Sequence, residues 1–302
     1  MSLAARILLG ALAALALFYI YCWFSIERAR ACVGETRVLG LTHPAVGFVT
    51  NFFDTLGVGS FAPTTSIFKL LKLVPDEKIP GTLNAGHALP TVVQALIFIA
   101  VVSVDPTTMV SMIAAAVLGA WLGAGVVARL PRVAIQVGMG VALLAAAILF
   151  VLGNLEKIPT GGDALALRGS LLAIAIGVNF MLGALMTLGV GLYAPCLILV
   201  SLLGLNPIAA FPIMMGSCAF LMPISSIRFV KTRSYHVQAA LGLALGGLPA
   251  ALIAALIVKS LPLGAVRWLV VFVVIYTAIN MLITAKAGAA ELHDGRIAEV
   301  NA

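Results

Sequence analysis

Apolar residues gather into long runs, at about 4–25, 44–74, 80–103, 107–129, 133–153, 170–204, 207–229, 237–259 and 263–285. The charged residues lie mostly in the short stretches between. An α-helix crosses a bilayer in about 20 consecutive apolar residues, so most of these runs read as single spans. Two, 44–74 and 170–204, are too long for one. Each is broken near its middle by a glycine-rich turn. The polar stretch 154–168 separates two halves, and a short polar tail follows Lys286.

The halves repeat. Leu56-Gly57-Val58-Gly59-Ser60-Phe61-Ala62-Pro63 returns 132 positions later as Leu188-Gly189-Val190-Gly191-Leu192-Tyr193-Ala194-Pro195. The same offset pairs Val46 with Val178, Phe48 with Phe180, Thr55 with Thr187, Pro75 with Pro207 and Pro80 with Pro212. Leucine and valine matches are common in any membrane sequence, but glycines and prolines coinciding at one offset mark an internal duplication.

Charge orients the copies. Lys69, Lys72 and Lys78 follow the first overlong run, while its counterpart, 201–210, has no charge. Conversely 103–106 holds only Asp105, while its counterpart, 228–236, holds Arg228, Lys231 and Arg233. Basic loops stay cytoplasmic, so equivalent loops face opposite sides and the copies are inverted, a common transporter plan. The runs 44–74 and 170–204 must then each enter and leave on one face, as hairpins. The expected fold is an all-α integral membrane protein of two inverted-topology repeats. Each repeat is a broken, re-entrant-like helix hairpin plus three transmembrane helices. The divisions are an N-terminal helix and cytoplasmic loop (1–43), repeat 1 (44–153), a linker (154–169), repeat 2 (170–286) and a polar tail (287–302). The apolar run from Ile7 to Phe24 exceeds a signal-peptide core and reads as an uncleaved extra helix with its N-terminus outside, although Arg6 argues mildly against that orientation.

Composition agrees. Of 302 residues, 62% are hydrophobic and 10% charged, with mean hydropathy +1.16, against about 45–50% and about 25% in soluble domains. The net charge of +7 sits in loop clusters with no aromatic-basic patch, so nucleic acid is not expected as a partner. Cys22, Cys32, Cys196 and Cys218 lack CxxC spacing, and His43, His87, His236 and His293 lack metal-ligand spacing. Neither a disulfide framework, a metal nor a cofactor is expected.

Chemistry concentrates at the turns. Glycine allows close backbone approach and positive φ, and proline is tolerated in the first turn of the helix that follows. Gly57, Gly59 and Pro63, and Gly189, Gly191 and Pro195, therefore read as helix end, turn and new helix start inside the membrane. A helix start presents free N–H groups and a positive dipole end, an anion site without a cationic side chain. The expected donors are the backbone N–H groups near Ser60, Phe61, Leu192 and Tyr193, with side chains of Ser60, Thr64, Thr65, Tyr193 and Cys196 adding polar surface. Close helix packing is the alternative use of such glycines, and Gly119-x-x-x-Gly123 reads as a packing contact. Asp54, whose counterpart is Met186, is the one acid inside a hairpin. It is read either as the group that takes a coupling H⁺ or Na⁺ or as a hydrogen-bonded residue of a polar vestibule. Asn51, Asn84, His87 and Gln94 are candidates to line the path on one side, facing Gly183, Gly216, Ala219 and Ser226 in copy two. Arg228 reads as the end of a span, with an anion attractor at the inner mouth as the alternative.

At these turns, and at Leu243-Ala244-Leu245-Gly246-Gly247-Leu248-Pro249 and Gly119-Ala120-Trp121-Leu122-Gly123, the chain resembles the sulfite exporter TauE/SafE family (the TSUP transporters). The resemblance covers almost everything after the first helix. Val58 and Ser60, and Val190 and Leu192, interrupt the denser glycine run those proteins often carry. It implies a multi-pass protein of the bacterial inner membrane that carries sulfite, an organosulfonate or another small organic anion such as a carboxylate. An anion channel of the same architecture is the alternative. A membrane enzyme would need a nucleophile, metal cluster or paired acids in the membrane, which the sequence does not offer. A structural scaffold would leave the broken helices unexplained.

Overall fold

A computed structural model describes residues 2–31, 40–127, 132–155, 162–186 and 191–300, with backbone alone at 30–31, 123–127, 132, 153, 259, 263 and 290–300. Among these residues the chain forms eleven α-helices and no strand: α1 (Leu3–Ala31), α2 (Thr42–Thr55), α3 (Phe61–Leu70), α4 (Ile79–Val101), α5 (Pro106–Val127), α6 (Arg132–Asn154), α7 (Gly169–Met186), α8 (Tyr193–Leu202), α9 (Ala210–Thr232), α10 (Val237–Ser260) and α11 (Leu263–Val300). Seven of the helices are long and apolar enough to cross a membrane. Large apolar side chains on their outer faces, among them Leu17, Phe18, Trp121, Met181 and Ile283, are exposed. An all-α, multi-pass membrane protein is the architecture these helices make, because only lipid accommodates such a surface.

The two overlong runs are each two helices, α2 with α3 and α7 with α8. The start of α2 and the end of α3 meet beside the start of α4, where Val46, Phe68, Ile79 and Leu83 pack with Ala239 and Leu243 of α10. There the His43 ring lies 6.4 Å from Phe68 and 6.0 Å from His236, and the His236 N–H donates to Thr82 at 2.8 Å. The start of α7 and the end of α8 meet at the opposite end of α4. At that end the Asp105 N–H donates to Leu165 O at 2.8 Å and the Asn206 N–H to Ala164 O at 2.9 Å. Arg168 pairs with Asp105 at 2.9 Å. The Thr108 N–H, which donates to the Asp105 carboxylate, and the Arg168 guanidinium hold that carboxyl below the usual carboxylate range. With 23 residues, α4 spans about 35 Å between the two ends.

Element order in the second half repeats the first: a long helix, a ten-residue helix, a 3-10 turn, then three long helices. Packing exchanges equivalent elements, α2 on α10 and α5 on α7, while α4 lies on α9 and α6 on α11. These crossings need small residues. A Cβ on Gly183 would lie 2.0 Å from Ala116 O, and one on Gly119 1.9 Å from Phe180 O, so Gly119 makes the packing contact its motif predicts; the Gly123 surroundings lie outside the described residues. At the partner crossing Gly47 meets the Leu243 backbone and Gly247 meets Asn51. Where the first copy has Gly47 against Leu243, the second has Asn179, whose amide donates to Met112 O at 2.7 Å.

The last helix, α11, runs 38 residues from Leu263 to Val300 and so continues past Lys286; alanine is frequent there and no proline stops the helix. The stretches 32–39 and 128–131, with Cys32, Arg37 and Arg129, lie outside the described residues, as do 156–161 of the polar linker. The first helix is continuous and docks on α4 and α9. Tyr19 donates to Ala85 O at 3.0 Å, Trp23 to the Tyr235 hydroxyl at 2.9 Å, and that hydroxyl to Glu27 at 2.8 Å.

Candidate functional site

The first turn is built by backbone chemistry. Gly57 takes φ +99°; its N–H donates to Asp54 O at 2.8 Å and the Val58 N–H to Phe53 O at 3.1 Å. This is a Schellman ending, in which a left-handed residue lets the last carbonyls find donors. Gly59, at φ +85°, reverses the chain again, and Ser60 becomes the N-cap of α3. Pro63 falls in the first turn of α3, as does Pro195 in α8, where a missing N–H costs nothing. Of the second turn, Gly191 has open space where a Cβ would stand; 187–190, with Gly189, lie outside the described residues.

Both helix starts open onto one cavity of about 60 Å³. From the first hairpin it is lined by Asp54, Val58, Gly59, Ser60 and Phe61, and from the second by Met186, Gly191, Leu192, Tyr193 and Ala194. Thr91 of α4, Cys218 and Met222 of α9, and Thr277 of α11 close it. No family model, curated protein or solved structure matches the chain. What the site does must be argued from its geometry.

Asp54 is buried in the wall. Its Oδ2 accepts from the Gln94 amide at 2.9 Å, and Ser60 lines the same cavity. Gln94 in turn accepts from the Tyr193 hydroxyl at 3.3 Å, so one chain of polar contacts runs from the first hairpin through α4 to the second. The buried Thr277 hydroxyl lines the cavity and has no protein partner.

Behind this layer stands a second one. The Asn51 amide donates to Gly47 O at 2.7 Å, which turns its Oδ1 toward His87 Nδ1 at 3.0 Å. An amide oxygen only accepts, so His87 carries its proton on Nδ1. Nε2 lies 3.1 Å from the Thr64 hydroxyl, which also reaches Ser60 O at 2.7 Å. His87 is thereby tied to the N-cap of α3.

The expected residues separate accordingly. Gly59, Ser60, Phe61, Gly191, Leu192, Tyr193 and Asp54 line the cavity, and Gln94 bonds two of them. Gly57 shapes the turn. Asn51, His87 and Thr64 form the layer behind. Asn84 belongs elsewhere, accepting from Ser225 at 2.9 Å, and Thr65 does not line the cavity. Cys196 is fully buried in the core, where its N–H continues α8 by donating to Leu192 O at 3.0 Å. Sequence reading missed Thr91, Cys218, Met222 and Thr277. Only Thr91 had a signal, sitting one turn from Gln94 and from His87 on α4. Among the described residues no group of three or more His, Cys, Asp or Glu is placed to hold a metal.

Proposed function

We propose that this protein is a secondary transporter of a small anion, bound between the N-terminal ends of α3 and α8. One observation carries the reading: the starts of α3 and α8, 132 residues apart in sequence, line the same cavity. Each helix start offers first-turn N–H groups without helical acceptors and the positive end of a dipole, which together favour an anion. Broken helices within a membrane are tolerated where they line such a cavity. The lone Thr277 hydroxyl adds a donor.

The architecture supports alternating access. The hairpins start from opposite ends of the bundle, equivalent helices exchange partners, and equivalent loops carry opposite basic bias. Those features favour two inverted repeats that rock about a central site. A cavity of about 60 Å³ lined by residues of seven helices suits one small ligand better than a continuous pore, which favours a carrier over a channel. Sulfite, the substrate implied by resemblance to the TauE/SafE family, fits such a volume better than a longer organosulfonate does. The partners of this reading are the bilayer, the anion and an H⁺ or Na⁺ that couples at Asp54; the bacterial inner membrane is the proposed location.

Anion flux into proteoliposomes, scanned over sulfite, sulfate, thiosulfate, taurine and small carboxylates, tests the proposal. Saturable flux that favours the smallest oxyanions is expected. Absence of flux for every anion, from protein shown to be folded, overturns it.

A further inference from the structure

We infer that Asp54 is an internal occupant of the anion site, and that transport is symport of one monoanion with one proton carried on the Asp54 carboxyl. This rests on the anion-site reading above. Asp54 lines the same cavity as Ser60, the N-cap of α3, whose N–H and hydroxyl an incoming anion needs at the first hairpin. The protein's own carboxylate therefore already stands in that half of the site.

An external anion must displace it into a wall that offers no counter-charge. Asp54 is 3% exposed. The titratable groups facing it are Tyr193 of α8 and Cys218 of α9, both neutral acids. From α4 come Thr91 and Gln94, from α3 Ser60, and from α11 Thr277. His87 stands behind, its ring engaged by Asn51 and Thr64. Among the described residues no Lys, Arg or His lines the cavity. Two anions in so small a space without a cation repel strongly at low dielectric. The displaced carboxylate is therefore neutralised by taking a proton from the side on which the anion enters, and it returns that proton on the other side when the anion leaves.

The geometry also chooses the proton over Na⁺. A sodium ion needs several oxygen ligands, but Gln94, the residue hydrogen-bonded to Asp54, meets it with an N–H. Gln94 presents its nitrogen to the carboxylate because its oxygen accepts from Tyr193. A proton needs no such shell. One proton cancels one charge, so a monoanion loads as a neutral pair and a dianion does not.

The test uses the full chain in proteoliposomes with labelled sulfite, protein-free vesicles giving the background. An inward proton gradient is expected to raise accumulation tenfold or more. Accumulation should not change when Na⁺ is removed or when a potential is imposed with valinomycin, and an internal pH dye should record one proton per anion in the wild-type protein. In Asp54→Asn the ratio of uptake with the gradient to uptake without it falls to about one, and Asp54→Glu restores part of it. Saturable sulfite flux driven by Na⁺ or by the potential, or an unchanged ratio in Asp54→Asn, overturns the coupling and leaves the anion site standing. No saturable flux of sulfite or any other anion from folded protein overturns the site itself.

Discussion

Lys72 shows how a single residue departs from its repeat. It takes φ 51° at the end of α3, where the Leu73 N–H donates back to Phe68 O at 3.0 Å. Its counterpart 132 positions on, Gly204, closes α8 the same way at φ +87°, with the Leu205 N–H on Val200 O at 3.1 Å. A side chain in the left-handed region costs about 1–2 kcal/mol. Lys72→Gly is therefore expected to raise the melting temperature of the detergent-solubilised protein by relieving that strain, and a lowered melting temperature would count against the assigned turn. Gly59 follows the same logic: a Cβ would find open space there, but the residue takes positive φ. Gly59→Ala should lower stability by about 1 kcal/mol, read as a lower melting temperature. Valine at Gly59 or Gly191 reaches into the cavity mouth, and both valine variants should lose transport while remaining folded. Much of this was legible, because glycine and proline punctuate a chain whatever surrounds them. What the sequence hid is that Gly59 needs its freedom for φ rather than for space.

At the scale of elements, the helix crossings depend on backbone-to-backbone contact. Gly183 of α7 and Gly119 of α5 each face a carbonyl oxygen at about van der Waals overlap for any added carbon. Gly138 of α6 has nothing within 4 Å. Gly183→Ala is expected to part α5 from α7 and cost about 1–3 kcal/mol, while Gly138→Ala should gain up to about 1 kcal/mol from helix propensity alone. Thermal unfolding in one detergent compares them directly, and equal effects would mean the crossing is looser than the structure has it. The division of each overlong run into two helices followed from arithmetic, since neither run fits one bilayer crossing. Which helices pair did not follow. Nothing local in α2 names α10 as its partner, and the exchange of equivalents emerges only when both halves are folded together. The buried polar layer of Asn51, Thr64 and His87 was likewise visible only as scattered polar letters on α2, α3 and α4. Those residues have partners on other helices, and a one-dimensional pattern reports a side chain's own face rather than its neighbour.

Across the whole molecule, charge and geometry divide the bundle the same way. Lys69, Lys78, Arg228 and Arg233 flank the end at which α2 begins and α3 ends, where Thr82 meets His236. Asp105, Asp163, Arg168 and Arg267 occupy the other end, tied into two ion pairs across its loops. If the bilayer is the solvent, the first end is cytoplasmic, and the two hairpins dip toward the shared cavity from opposite sides. Single cysteines test this. With Cys22, Cys32, Cys196 and Cys218 replaced, a cysteine at Ser234 marks the first end and one at Ser103 the second. In intact cells a membrane-impermeant maleimide should modify Ser103→Cys and leave Ser234→Cys untouched until the membrane is opened. Labelling of Ser234→Cys alone would turn the molecule over but keep the hairpins opposed. Equal labelling of both from outside would put the two ends on one side of the membrane, and the inverted arrangement, with the anion site at its centre, would have to be abandoned.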